Sequence, residues 1–135
     1  MWLLKTEPGT YAFDDLEREG RTVWDGVKNP VAQKNLRAMK VGDPVLIYHT
    51  GEQKAVVGLA EVARAAYPDP KLAGGPAVVD IRPLARWRRP VTLAEIKAHP
   101  AFGDSPLVRQ GRLSVVPLTT AQAKVLESLA AGGAR

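Results

Sequence analysis

The sequence predicts an α+β fold: a small curved antiparallel β-sheet or barrel flanked by short helices. Three observations carry this expectation. Strand-like alternation dominates the first two-thirds of the chain. The element order (strand, helices, several strands, helices, strand, helix) lacks the regular strand–helix alternation of a parallel doubly wound sheet. Gly42, Gly51 and Gly58 supply turn or close-packing positions for a sheet that bends.

The elements follow in order. Trp2 to Thr6 is a short apolar strand stopped by the turn signal Pro8-Gly9. Phe13 to Glu19 suits a short helix closed by Gly20. Trp24 to Asn29 reads as a loop. Asn29-Pro30 starts a helix running to about Met39: Asn caps, and Pro at the first helical position loses no needed donor. Val31, Leu36 and Met39 face inward, with Lys34, Arg37 and Lys40 outward.

Pro44 to Thr50 and Ala55 to Ala63 form a hairpin about Gly51-Glu52. Tyr67 to Pro76, rich in Pro, Gly and Asp, is a loop, and Ala77 to Trp87 is another alternating strand. Thr92-Leu-Ala-Glu95 is a capping box for a helix over Leu93 to His99. Pro106 to Gln110 is one further helical turn and Leu113 to Val116 a last strand. Thr119-Thr-Ala-Gln122 opens the final helix, which Gly132-Gly133 closes.

The 135 residues fit one domain spanning 1–135, with an apolar fraction of 45% and a charged fraction of 24%. Cysteine is absent, which excludes disulfides, thiolate ligands and a cysteine nucleophile. No apolar run reaches the length of a membrane span, and the N-terminus, with an acid at position 7, reads as a strand. A cytoplasmic location without membrane attachment is the expectation. Nineteen Lys and Arg against fourteen Asp and Glu give a net charge of +5, which biases the chain toward polyanions.

Most catalytic constellations are missing. There is no Gly-rich phosphate loop and no Gly-x-Ser-x-Gly elbow. The two histidines, His49 and His99, lack metal-ligand spacing, so neither a metal nor another cofactor is expected. Asp14-Asp15 point apart in a solvated helical turn. Glu7, Asp25 and His49 could converge as acid and base, though no spacing brings them together. The alternative reading is a small enzyme acting on nucleotides or modified bases, with Glu7 or His49 as general acid or base. The expected function is nonetheless non-enzymatic.

Three segments carry polar or aromatic groups that a core does not need: Lys5-Thr6-Glu7, Trp24-Asp-Gly-Val-Lys-Asn29 and Tyr48-His-Thr50. A flat ring, hydroxyls and an amide are what stack and hydrogen-bond a heterocycle. Each has a plainer role: Trp24 as core, Asn29 as helix cap, Tyr48 as sheet packing. Arg82, Arg86, Arg88 and Arg89 around Trp87 read either as a phosphate-binding rim, with Lys5, Lys28 and Lys34, or as a solvated strand end.

These segments resemble the EVE domain family of the PUA-like superfamily. The resemblance runs through Trp2-Leu-Leu-Lys-Thr-Glu-Pro8, Trp24-Asp-Gly-Val-Lys-Asn29, Asn35-Leu-Arg-Ala-Met-Lys-Val-Gly-Asp43 and Tyr48-His-Thr50. It continues with Val57-Gly-Leu-Ala-Glu-Val62, Ala66-Tyr-Pro-Asp-Pro70, Arg89-Pro-Val-Thr-Leu93 and Arg109-Gln-Gly-Arg-Leu-Ser-Val115. It implies a PUA-like curved antiparallel barrel with a base-sized pocket, related to YTH domains, that recognises a modified base in DNA or RNA. Carried over by residue, the implied pocket uses Thr6, Trp24, Asn29, Tyr48, His49, Thr50, Arg112, Leu113 and Ser114. Thr stands at 6 and 50 where the family usually has Ser, and Pro30 where it often has Tyr, which changes the walls of that pocket.

Overall fold

Local chemistry sets the helix starts. In the computed structural model, whose described residues are 1–72 and 74–131, the Asn29 side chain accepts from the backbone N–H groups of Val31 and Ala32 at 2.9 and 3.0 Å. It thereby opens α2 (Pro30–Ala38). Both capping boxes form, Thr92 with Glu95 ahead of α3 (Leu93–Ala98) and Thr119 with Gln122 ahead of α5 (Thr120–Ala130). α1 (Phe13–Glu19) ends at Gly20 in the left-handed conformation, φ 74°. A 3₁₀ turn (Pro100–Phe102) and α4 (Pro106–Arg109) complete the helices among the described residues. The expected stop at Gly132-Gly133 lies outside the described residues.

Six strands form one sheet: β1 (Trp2–Thr6), β2 (Thr22–Trp24), β3 (Pro44–His49), β4 (Ala55–Pro68), β5 (Ala77–Thr92) and β6 (Val115–Pro117), in the order β2-β5-β4-β3-β1-β6. The structure corrects the sequence reading in several places. Trp24 ends a strand instead of starting a loop: Thr22, Val23 and Trp24 are all strand formers and pair with Ile81, Asp80 and Val79. The sheet is mixed, because β1 runs parallel to β3, joined by a crossover through α1, β2 and α2. β4 and β5 are longer than expected, which shortens the loop between them. Pro83 lies within β5 beside one of the register shifts that bend this pair, where a missing N–H is tolerated. The last strand begins at Val115 rather than Leu113.

Close packing on the sheet depends on Gly58. A Cβ there would sit 2.7 Å from the ring of Phe13 and 3.0 Å from the carbonyl of Ala85, so α1 packs its largest side chain directly on the backbone of β4. Around this contact the core gathers Leu3 and Leu4 of β1, Leu16 of α1, Leu36 of α2 and Leu46 of β3. The sheet curls into a half-barrel. Its two ends, β2 on one side and β1 with Ser114 just ahead of β6 on the other, line a single cleft.

Candidate functional site

That cleft, about 950 Å³, is the open seam of the half-barrel. β1 contributes Lys5 and Thr6, and Ser114 comes from the residue before β6. Facing them are Thr22, Val23 and Trp24 of β2 with the loop Asp25 to Lys28. The volume lies in the range of small-ligand pockets.

Trp24 is held firmly. It is only 8% exposed, and Tyr11 packs edge-on against it with ring centroids 6.0 Å apart. Trp24 is therefore both part of the core and part of the cleft wall. After it the chain turns at Gly26, φ 76°, a backbone conformation that favours glycine. The loop is then pinned by Gln33, a buried side chain on α2. Its amide nitrogen donates to the carbonyls of Val27 and Ala77 at 2.7 and 3.0 Å, and its oxygen accepts from the N–H of Ala77 at 2.8 Å.

The polar groups of the cleft are arranged by hydrogen bonds. The Thr6 hydroxyl donates to the carbonyl of Tyr11 at 2.7 Å, leaving its oxygen free to accept. Tyr11 donates its own hydroxyl to Glu19 at 2.6 Å. Burial first, and the Glu19 carboxylate second, push the Tyr11 phenol up to about 12. Asp80, nearly buried, accepts two bonds from Arg21 at 3.2 and 2.8 Å and a short one from the Tyr67 hydroxyl. Lys5, half-buried, donates to the carbonyl of Gly111 at 3.0 Å, and its burial lowers its pKa from the ordinary lysine value. Lys28 makes no ion pair among the described residues, and Lys71 stands 3.9 Å from Asp25. The wall carries cations and carboxylates together, with Glu7 exposed among them.

The residues expected from sequence divide among several places. Thr6, Trp24 and Ser114 line the cleft, as do Lys5 and Lys28. Asn29, Arg112 and Leu113 line a separate recess of about 340 Å³, with the Asn29 oxygen committed to its cap. Tyr48 and Thr50 line a third recess, of about 200 Å³, which shares Lys5 with the main cleft. His49 lies in the interior, where its Nε2 accepts the N–H of Phe13. Lys34 and Arg88 are exposed and line none of the three. Arg82 pairs with Glu61, Arg86 with Asp14 and Glu17, and Arg89 with Glu95, so most of the β5 arginine rim is an ion-paired strand.

Several cleft residues escaped the sequence reading. Tyr11, an aromatic just after the Pro8-Gly9 turn, offered a signal. Arg21 and Asp80 did not, since their pairing joins residues distant in sequence. Among the described residues no group of three or more His, Asp or Glu side chains stands ready for a metal, and no helix is long and apolar enough to cross a membrane.

Comparison with known proteins places this geometry. Human thymocyte nuclear protein 1 is 31% identical to the chain, covering 87% of it and 68% of the human protein. Its crystal structure, in complex with 5-methylcytosine containing DNA, matches with a TM-score of 0.85 over 96% of both chains. A protein from Leishmania major matches with a TM-score of 0.91 at 37% identity, over 99% of this chain and 96% of that one. An ASCH protein from Zymomonas mobilis, 14% identical over 95% of this chain and 94% of its own, shares the fold alone at a TM-score of 0.60. These neighbours share the curled, PUA-like sheet. The EVE domain family model matches residues 1–129, and with that span covered the chain belongs to the EVE domain family.

Proposed function

We propose that this EVE domain is a non-enzymatic nucleic-acid reader that seats one unstacked, modified base in the seam cleft against Trp24. The observation that carries the reading is the position of Trp24: a closely packed indole lines a cleft roomy enough for a base together with the hydroxyl-bearing Thr6 and Ser114. Stacking on such a ring is worth ~1–3 kcal/mol per base. Lys5 and Lys28 at the rim suit the phosphates on either side. The human relative crystallised with 5-methylcytosine containing DNA supports DNA as the first ligand to test.

The test is a binding screen of matched DNA and RNA oligonucleotides that differ only in one base, cytosine or 5-methylcytosine first, then other modified bases. Tighter binding to one modified base, reduced in Trp24→Phe, is the expected result. Equal affinity across the whole set would overturn base reading.

A further inference from the structure

We infer that a phosphate of the bound strand sits in the 200 Å³ recess beside the cleft, held by Lys5, Lys54 and Lys97. This rests on the reading of the cleft as a base seat. The recess is lined by these three lysines together with Tyr48, Thr50 and the apolar Leu93, Leu107 and Val108, and no carboxylate lines it among the described residues. The main cleft differs, since Glu7, Asp25 and Asp80 stand among its cations. Counterion release requires cations that are not already neutralised by the protein. The side chains of Lys54 and Lys97 make no hydrogen bond or ion pair among the described residues, whereas Arg82, Arg86 and Arg89 are all engaged. Lys5 borders both cavities, so a nucleotide whose base enters the cleft has its backbone beside the recess.

A second, independent observation concerns the backbone of Lys54. It has φ 45° and is the non-glycine residue with positive φ among the described residues. A lysine pays a conformational penalty there that glycine would avoid. The turn from β3 to β4 nevertheless carries a long cation at that position, beside a recess whose charged lining residues are all lysines.

The experiment titrates oligonucleotide affinity against salt for the wild type, Lys54→Gly, Lys97→Gln, their double variant and Lys124→Gln, a control on α5 away from all three cavities. Modified and unmodified oligonucleotides are both used. For duplex, the double variant is expected to flatten the slope of log K against log salt by up to about 1, the share of the one seated phosphate, and to lose about tenfold in affinity. It should keep the preference between bases, and Lys124→Gln should change neither slope nor affinity. Lys54→Gly should melt at or above the wild-type temperature, because glycine relieves the backbone. Lys54→Asn, which also tolerates positive φ, repeats the test without the flexibility of glycine. Unchanged slope and affinity in the double variant, with base preference intact in the wild type, would overturn the phosphate seat alone. A wild type without base preference whose slope still falls in the double variant overturns the base reading and keeps the lysines as the phosphate site. A wild type that binds no oligonucleotide overturns both.

Discussion

The backbone N–H of Phe13 donates to Nε2 of His49 across 3.0 Å, tying the first residue of α1 to the last residue of β3. Nδ1 of the same ring lies 2.7 Å from Oε1 of Gln53, so the ring proton resides on Nδ1 and the imidazole is neutral in this arrangement. Both nitrogens are occupied in holding the fold. His49→Ala leaves a buried N–H without an acceptor and is expected to destabilise the protein by about 1–3 kcal/mol. Urea denaturation measures this, and the more exposed partner change Gln53→Ala should cost less.

Trp24→Ala removes a wall of the cleft and a piece of the core at once. With Trp24 in the buried cluster and Tyr11 against its ring, the loss is expected at about 3–5 kcal/mol, a large part of a small domain's stability. Thermal melting checks it. Retention of the wild-type Tm would show that the indole is dispensable to the core, so Trp24→Phe is the cleaner probe of binding.

Gln33→Leu should act at a distance from any ligand. It frees the carbonyl of Val27 and leaves both backbone groups of Ala77 without these partners, so the Asp25 to Lys28 loop loses its tether to β5. The expected loss is about 2–3 kcal/mol, with faster amide exchange in the loop. Weaker base preference in a variant that is still folded under assay conditions would mark Gln33 as a positioning residue.

Gly58→Ala is expected to lower the melting temperature, because the new methyl meets the Phe13 ring at 2.7 Å and the Ala85 carbonyl at 3.0 Å. Overpacking of this kind costs about 1–3 kcal/mol. A calorimetric scan with an unchanged Tm would mean that α1 can lift off the sheet without penalty.

Alkaline pH offers a separate check. Tyr11, Tyr48 and Tyr67 all have their hydroxyl pKa raised, with burial the largest cause at each. Raised values mean that the folded state holds these protons where the unfolded chain releases them. Their stabilising contribution is therefore complete below about pH 10 and is lost as pH rises through the folded values, for Tyr11 about 12. Phenolate absorbance should rise later than for free tyrosine, and Tyr11→Phe should remove the step near 12.

Much of the fold was legible because caps and periodicity are local. Asn29, Thr92 and Thr119 announced their helices through hydrogen bonds that span three residues or fewer. The parallel pairing of β1 with β3 was not legible, since nothing in either strand encodes direction. The site divides the same way. Thr6, Trp24 and Ser114 line one cleft, whereas Tyr48 and Thr50 line another recess and His49 between them turns into the interior, as alternation along the chain requires. The arginines of β5 looked free only because their partners Glu61, Asp14 and Glu17 lie on other elements.

The placement of β1 between β3 and β6 has a kinetic side. One partner lies about forty residues further along and the other more than a hundred, so during synthesis the first strand emerges long before either edge can be paired. The seam wall formed by Thr6 and Ser114 cannot exist until the chain has been made nearly to α5. Nascent chains stalled before Val115 should therefore leave one edge of β1 open, and β-rich association between such chains is the hazard that this topology carries.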